Sequence, residues 1–400
     1  MAHDAIASAD YIRTKPAGRL DFMDAARAIM LLLGIPFHAS EMYRISGGFG
    51  IDSPDKSFLA SLISGIIHCF RMPSFFILSG FFAALILSKR DTSAWIKGRI
   101  YKLGVPLIAT TLTLGIVEEA ITMMFNSKLG PLSSLVAASH ASVLDWVGPR
   151  WFLITLLMFC ICLLPLASVL QKQNTGVGRD WTNVLNPTVK KVVFLSLLAA
   201  VPVIAIVLGK VAALASGGDP WTKYYAISFV RYSTFFFFGV LMHMSPAHFE
   251  QFMKFDRTDS FLAITIIALY LITYFAFYEK VALASQKGWH PLSMTRIAIE
   301  TAAGFYASKA FFTLMRRYFS RKSAVVMYIV DASFCIYLVH EMFLLSIGGA
   351  LLNIGMAPMI EIILICAGTL IGSTAVYELA RRSWLLAQAL NGGEFKRMAA

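Results

Sequence analysis

Two basic side chains lie in a largely apolar stretch, residues 26–43, which reads ARAIMLLLGIPFHASEMY. Arg27 and His38 are eleven residues apart, close to three turns of an α-helix, so they share one face about 16 Å apart along the axis. A charged group inside a membrane span costs at least a few kcal/mol, so its presence usually has a cause. A guanidinium can hold an anion and an imidazole can act as a general base, which makes this face a candidate for catalysis.

Each of these two residues also has a simpler explanation. His38 could be a buried imidazole that hydrogen-bonds to a neighbouring helix. Arg27 could pair with Asp24 one turn away, or extend its side chain to the membrane surface. Spacing alone leaves these explanations open. It also leaves open whether Glu41, one turn beyond His38, orients the imidazole or meets lipid headgroups.

Two further segments carry basic residues three positions apart. His68 and Arg71 share a face of one predicted helix, which Pro73 should kink. Arg99 and Lys102 stand at the start of the next apolar segment. Arg and Lys suit phosphates and carboxylates, so these positions predict binding of an anionic substrate.

A later segment, residues 331–343, reads DASFCIYLVHEMF and places Ser333, Tyr337 and His340 on one helix face. Counted from the basic loops, His340 lies at about the same depth as His38. The predicted helices thus have histidines at one depth and arginine and lysine side chains at another. This arrangement suits a reaction between an anionic donor and a hydroxyl that needs a base. Acyl transfer from a coenzyme A (CoA) thioester meets these conditions, and the sequence has neither a Gly-rich phosphate loop nor a metal-spaced His/Glu motif.

The elements that must position these residues are membrane helices. The 400-residue chain is 58% hydrophobic and only 14% charged, with a mean hydropathy of +0.68. Apolar runs of roughly 20 residues, long enough to cross a bilayer, recur along it. We predict an all-α polytopic membrane protein with about ten spans: 22–43, 60–88, 103–125, 151–170, 192–213, 224–244, 259–278, 292–314, 324–346 and 357–380. Residues 22–385 form a single transmembrane domain between tails at 1–21 and 386–400.

The net charge of +12 follows from topology. Of the 35 Lys and Arg residues, 22 fall in alternate loops, which predicts that both termini are cytoplasmic. This distribution argues against nucleic acid as a partner. The five cysteines all fall within predicted spans, so neither a disulfide framework nor a zinc-finger spacing is indicated.

The motifs together resemble the acyltransferase-3 family of integral membrane acyltransferases. The likeness covers most of the chain and rests on quoted segments: LDFMDAARAIMLLLGIPFH, FRMPSFFILSGFF, RIYKLGVP, RWFL, SFCIYLVH and YELARR. Within the family, the residues of these segments most resemble a branch that succinylates osmoregulated periplasmic glucans. The resemblance implies a multi-pass protein of the bacterial inner membrane with succinyl-CoA as donor substrate and no bound cofactor.

The resemblance also assigns residues. It implies catalytic roles for His38, Arg27 and His340, and binding of the acyl-CoA donor by Arg99, Lys102 and Arg71. No metal site is expected.

The sequence departs from the family's pattern in three places. Lys102 replaces the second Arg of the usual Arg-x-x-Arg pair, which keeps the charge but loses the bidentate fork. Pro149 and Arg150 stand where many relatives have a His before Trp-Phe-Leu, so no catalysis is assigned there. Glu341 stands where the glucan branch can have a second His, which leaves a two-histidine scheme at that point in doubt.

The expected reaction is succinyl transfer to hydroxyls of a periplasmic glucan, with the bilayer and other glucan-biosynthesis proteins as further partners. One alternative is O-acetylation of another surface polysaccharide. Another, from a different class, is a transporter of an acyl or glycan carrier without chemistry. Direct transfer and an acyl-enzyme intermediate both stay open.

Overall fold

The computed structural model describes residues 21–47, 50–174, 220–276, 291–319, 323–352 and 354–393, with parts of 204–215. Across these residues the chain is helical and contains no β-strand. Eight helical stretches are long and apolar enough to cross a membrane. The predicted all-α polytopic class is therefore confirmed.

The eight stretches match eight of the predicted spans: Asp21–Glu41, Phe58–Leu87, Thr92–Ser127, Val143–Lys172, Tyr225–Met244, Arg257–Phe275, Ala324–Leu351 and Pro358–Ala380. The predicted span 292–314 is also helical, within Pro291–Tyr318, but that helix carries more charge. The predicted span 192–213 lies mostly outside the described residues, as does the N-terminal tail.

We number the α-helices in chain order. They are α1 (Asp21–Leu32), α2 (Gly34–Glu41), α3 (Phe58–Leu87), α4 (Thr92–Arg99), α5 (Val105–Thr110), α6 (Ile116–Ser127), α7 (Pro131–Ser139), α8 (Val143–Val147), α9 (Trp151–Leu163), α10 (Ala167–Asn174), α11 (Pro220–Met244), α12 (Pro246–Phe252), α13 (Arg257–Ala276), α14 (Pro291–Tyr318), α15 (Ala324–Leu351), α16 (Pro358–Ala380) and α17 (Trp384–Asn391). Short 3₁₀ turns at Gly148–Arg150 and Leu164–Leu166 precede and follow α9.

The first span is interrupted at Leu33, between α1 and α2. Pro36 accounts for the interruption, because proline has no N–H to donate and its ring opposes the carbonyl of Leu32 four residues earlier. Helical hydrogen bonds continue on either side, from Leu33 N to Ile29 O at 2.8 Å and from Phe37 N to Leu33 O at 3.2 Å. The local departure from a regular helix thus comes just before the turn that carries His38.

The third span alternates between α-helix and π-helix. Ile100–Gly104 and Thr111–Gly115 are π-helical turns on either side of α5. Pro106 cannot donate a hydrogen bond to the carbonyl of Lys102, which favours a wider turn there. Single π-helical turns inside α-helices are rare and occur frequently at functional sites.

The chain divides into two compact units. The first contains residues up to Arg27, Cys69–Ile96 and Phe159–Lys322; the second contains Ala28–His68, Lys97–Met158 and Ser323–Ala400. In the second unit, α2, α15 and α16 share an apolar core. Its buried members are Ala39, Met42, Tyr43, Ile51, Ala60, Leu344, Leu345, Ile362 and Ile365.

In the first unit, α3 and α11 pack backbone to backbone through two glycines. A side chain at Gly80 would collide with the carbonyl of Phe236, and one at Gly239 would collide with the carbonyl of Ile77. Small residues at such positions let membrane helices approach closely. This reciprocal contact fixes the register of the two helices.

We expect Gly80→Ala to destabilise the protein by about 1–3 kcal/mol, the usual cost of overpacking, because no flexible side chain can move out of the way. The matched control is Gly98→Ala, since a methyl group at Gly98 meets no atom within 4 Å. Thermal unfolding in detergent measures both variants. Equal unfolding midpoints for the two would contradict the proposed helix contact.

Candidate active site

The structure brings two of the predicted catalytic residues together in the second unit. The rings of His38 and His340 have centroids 5.5 Å apart and an interplanar angle of 44°. Both side chains are buried. Their helices, α2 and α15, meet through the apolar core, so hydrophobic packing determines the approach of the two imidazoles.

The tautomer of His340 follows from its hydrogen bond. Its Nδ1 lies 2.6 Å from the backbone oxygen of Tyr337, which can only accept. Nδ1 therefore carries the hydrogen, and in the neutral ring Nε2 is the basic nitrogen. Tyr337 is held in turn, since its hydroxyl donates to the carbonyl of Pro149 at 2.9 Å and its ring packs edge-on against Phe152 at 4.9 Å.

An aromatic chain extends from His38 on its other side. Phe37 meets His38 in an edge-on arrangement at 4.8 Å, and stacks on His68 at 5.7 Å. His68, Phe37, His38 and His340 thus form a continuous run of four rings within the second unit. The apolar surroundings strengthen any electrostatic interaction that these imidazoles make with a substrate.

Sequence reasoning missed a buried charge cluster in the same unit. Arg150 makes a bidentate ion pair with Glu118 through Nη2, at 2.6 Å to Oε1 and 2.7 Å to Oε2. Arg150 is fully buried, and Nη1 donates to the carbonyl oxygens of Trp146 and Val147. The arginine therefore fastens the short α8 and the turn after it to α6.

Glu341 joins this cluster around Gly148. A methyl group at Gly148 would lie 3.1 Å from Glu341 Oε2, 3.6 Å from Arg150 Nη1 and 3.9 Å from Glu118 Oε2. Gly148 has φ +46°, a left-handed conformation that favours glycine. The cluster thus contains two carboxyl groups and one guanidinium. One of its carboxyl groups belongs to Glu341, the residue that follows His340.

One signal in the sequence could have identified this cluster. Glu118, Arg150 and Glu341 are all ionisable residues in apolar segments, where such groups are costly and usually functional or paired. Arg150 and Glu341 were recognised only as departures from a family pattern. The residues are far apart in sequence, so their convergence requires the fold.

A further buried carboxyl group, Glu361 of α16, contacts Tyr43 just beyond the C-terminal end of α2. The hydroxyl of Tyr43 donates to Glu361 Oε2 at 2.6 Å. Burial, reinforced by this hydrogen bond, raises the pKa of the Tyr43 phenol above its usual value, so the phenol stays protonated and remains a donor. Glu41, whose role the sequence left open, forms an ion pair with Arg44 at 3.0 Å.

The remaining predicted residues lie as follows. Arg27 pairs with Asp24 at 3.5 Å and its side chain is 42% exposed, which matches the simpler explanation given above. Arg71 is buried in the first unit. Arg99 precedes the first π-helical turn, and Lys102 lies within it with an exposed side chain. Their roles stay predictions.

The first unit also contains a cluster of arginines. Glu300 accepts from Arg231 at 2.8 Å and from Arg296 at 2.7 Å. Tyr232, buried on α11, lies within electrostatic range of Arg231, Glu300 and Arg71. Positively charged groups therefore predominate around this tyrosine. Among the residues that the structure describes, no group of three or more His, Cys, Asp and Glu side chains is arranged to hold a metal ion.

Comparison with known proteins identifies the family of this chain. The chain belongs to the acyltransferase family whose sequence pattern, described as an acyltransferase domain, matches residues 20–378. The protein is thus a multi-pass membrane acyltransferase.

Among individual proteins, the chain is similar to glucans biosynthesis protein C of several Salmonella strains. It is 27% identical over 341 residues to the proteins of Salmonella paratyphi B and Salmonella dublin, with 83% of this chain and 84% of each relative covered. No solved structure matches the chain significantly. The predicted resemblance is therefore confirmed at the level of the family and of these relatives.

Breaking the buried ion pair should be costly. We expect Arg150→Met to destabilise the protein by about 3–5 kcal/mol, because Glu118 is then buried without its cation. The double variant Arg150→Met with Glu118→Leu should recover part of this loss, since Glu118 is no longer buried without its cation while Glu341 still is. Thermal unfolding in detergent tests both, and a double variant as unstable as the single one would contradict the pairing argument.

Proposed function

We propose that this membrane acyltransferase moves a succinyl group from cytoplasmic succinyl-CoA to a hydroxyl of a periplasmic glucan in the bacterial inner membrane. The observation that carries the proposal is the buried pair of imidazoles, His38 and His340, in an apolar core. Two supports come from the comparisons. The family performs acyl transfer, and the relatives are named for glucan biosynthesis.

In the proposed step, His38 acts as the general base. It accepts the proton of the acceptor hydroxyl as the oxygen attacks the thioester carbonyl. The carbon–sulfur bond then breaks, the ester forms, and the proton returns to the CoA thiolate. Atoms and charge balance without a metal ion or redox partner.

His340 has a supporting part in this proposal. Because Nδ1 donates to the Tyr337 carbonyl, Nε2 is the basic nitrogen of this ring, which lies next to His38. The ring of Tyr337, which is held by its hydroxyl and by Phe152, packs against His340 at 5.0 Å. Pre-organised groups of this kind cost little reorganisation during reaction.

Binding of the donor would fall to arginine and lysine side chains. Arg99 and Lys102 suit the phosphates of CoA, and Arg27 suits the pantetheine arm or the succinyl carboxylate. Arg71 and Arg231 are further candidates for that carboxylate, since they surround Tyr232 with positive charge. An acetyl group has no such carboxylate, so these arginines favour a dicarboxylic acyl group over the alternative of O-acetylation.

The role of His38 is tested with purified protein in detergent, succinyl-CoA and a glucan acceptor, by following release of free thiol. We expect His38→Ala to lower the rate by about 10²–10⁴, the usual contribution of a general base. The matched control is His140→Ala, an exposed histidine in a loop, which should keep the wild-type rate. Full activity of the His38 variant would remove the base from the proposal, and a wild type that releases no thiol would favour a transporter without chemistry.

The choice of acyl group is tested at Arg71. We expect Arg71→Gln to reduce the preference for succinyl-CoA over acetyl-CoA about tenfold, because a hydrogen bond between charged groups contributes about 1.5–3 kcal/mol. Arg90→Gln, at an exposed arginine, is the control. The kcat/KM ratio of the two donors is the measurement. An unchanged ratio with retained activity would place the carboxylate elsewhere.

A further inference from the structure

The C-terminal helix α17 packs on the π-helical turn that carries Lys102. Gly392 ends this helix with φ +58°. A methyl group at Gly392 would lie 2.7 Å from the Cα of Lys102 and 2.7 Å from the carbonyl oxygen of Tyr101. Real side-chain carbons essentially never approach other atoms within 3.0 Å. The backbone at Gly392 therefore contacts the backbone of the turn directly. Glycine is required at this position for two reasons, because there is no space for a side chain and because φ is positive.

A second contact joins the same two elements. The hydroxyl of Tyr101 donates to Gln388 Oε1 at 3.1 Å. Ala387 and Leu390 are buried, whereas Trp384 and Leu385 are 68% and 67% exposed. One side of α17 thus packs within the second unit, and its exposed apolar side chains suit a membrane surface, where amphipathic helices bury such residues.

The turn needs such a support because of its own geometry. In an α-helix, two residues three positions apart are about 60° apart around the axis. A π-helical turn holds more residues, so the angle between Arg99 and Lys102 is wider. Such turns are rare because their geometry is less favourable than that of an α-helix. Contacts from outside the turn are therefore a physical means of keeping it in place.

We propose that Gly392 and α17 are positioning elements for the acyl donor. They hold the backbone at Tyr101 and Lys102 so that Arg99 and Lys102 present their cations together to the phosphates of a CoA thioester. This inference rests on the proposed function, since it takes these two residues as the donor site. Gly392 itself touches no substrate.

The test measures binding of CoA alone, by calorimetry on the full chain in detergent, so that it does not depend on the acyl group or the acceptor. We expect Gly392→Ala to raise the Kd about tenfold, which corresponds to about 1.4 kcal/mol. The matched control is Gly355→Ala. Gly355 also has a left-handed backbone, with φ +75°, but a methyl group there meets no atom within 4 Å. This control should bind CoA as the wild type does.

Steady-state kinetics separate positioning from general damage. In Gly392→Ala, the KM for the acyl-CoA should rise by about the same factor as the Kd while kcat stays within about twofold, because only donor binding changes. Gln388→Ala removes the hydrogen bond without any collision, and should raise the Kd about twofold to threefold. This milder variant carries the test if Gly392→Ala does not fold.

The outcomes distinguish the inference from the function on which it rests. If the wild type binds CoA and all variants bind it equally, the positioning role is wrong while the proposed function stands. A fall in kcat alone would also overturn it. Wild-type protein that binds CoA but transfers no succinyl group would refute the proposed succinyl transfer, and weaker CoA binding by Gly392→Ala would still support the inference. Failure of the wild type to bind CoA would overturn both.

Discussion

The structure depends on one constraint, the free-energy cost of burying ionisable groups among apolar helices. Three such groups in the second unit are held by specific contacts. Arg150 is matched by the bidentate carboxylate of Glu118, Glu361 accepts from Tyr43, and Nδ1 of His340 donates to a backbone carbonyl. Since an unpaired buried charge costs several kcal/mol, these contacts fix where the surrounding helices lie. The position of His340 depends on these contacts, because Tyr337 lies one turn before it and Glu341 directly follows it.

The apolar pattern was sufficient to predict the class of fold and eight of the spans, because a bilayer demands long apolar helices whatever their neighbours. The starts of the third and fourth spans were wrong, since these helical stretches begin at Thr92 and Val143. Equal depth also suggested that His38 and His340 belong together. The sequence could not predict that Glu118 and Arg150 meet, since their contact joins two segments through a tertiary arrangement. The π-helical turn at Ile100–Gly104 was also missed. The sequence contains Pro106, but a proline can cause either a kink or a wider turn in a helix. Which of the two forms depends on the packing around it.

The departures from the family pattern acquire a physical meaning in the fold. Arg150 and Glu341 are neighbours around Gly148, so the two substitutions are parts of one buried cluster. Lys102, which lacks the fork of an arginine, lies on a turn whose backbone is covered by Gly392. Fixing the backbone restricts where the flexible side chain of Lys102 can reach.

The central claim is that the buried imidazole of His38 serves acyl transfer to a glucan. Mass spectrometry of periplasmic glucans tests it most directly, in cells that lack this protein and are complemented with either the wild type or His38→Ala at equal protein levels. The account predicts glucans with a succinyl-sized mass increment in the wild-type complement and none in the variant. Glucans without that increment in the wild-type complement would contradict the proposed reaction, and full succinylation by the variant would contradict the role of His38.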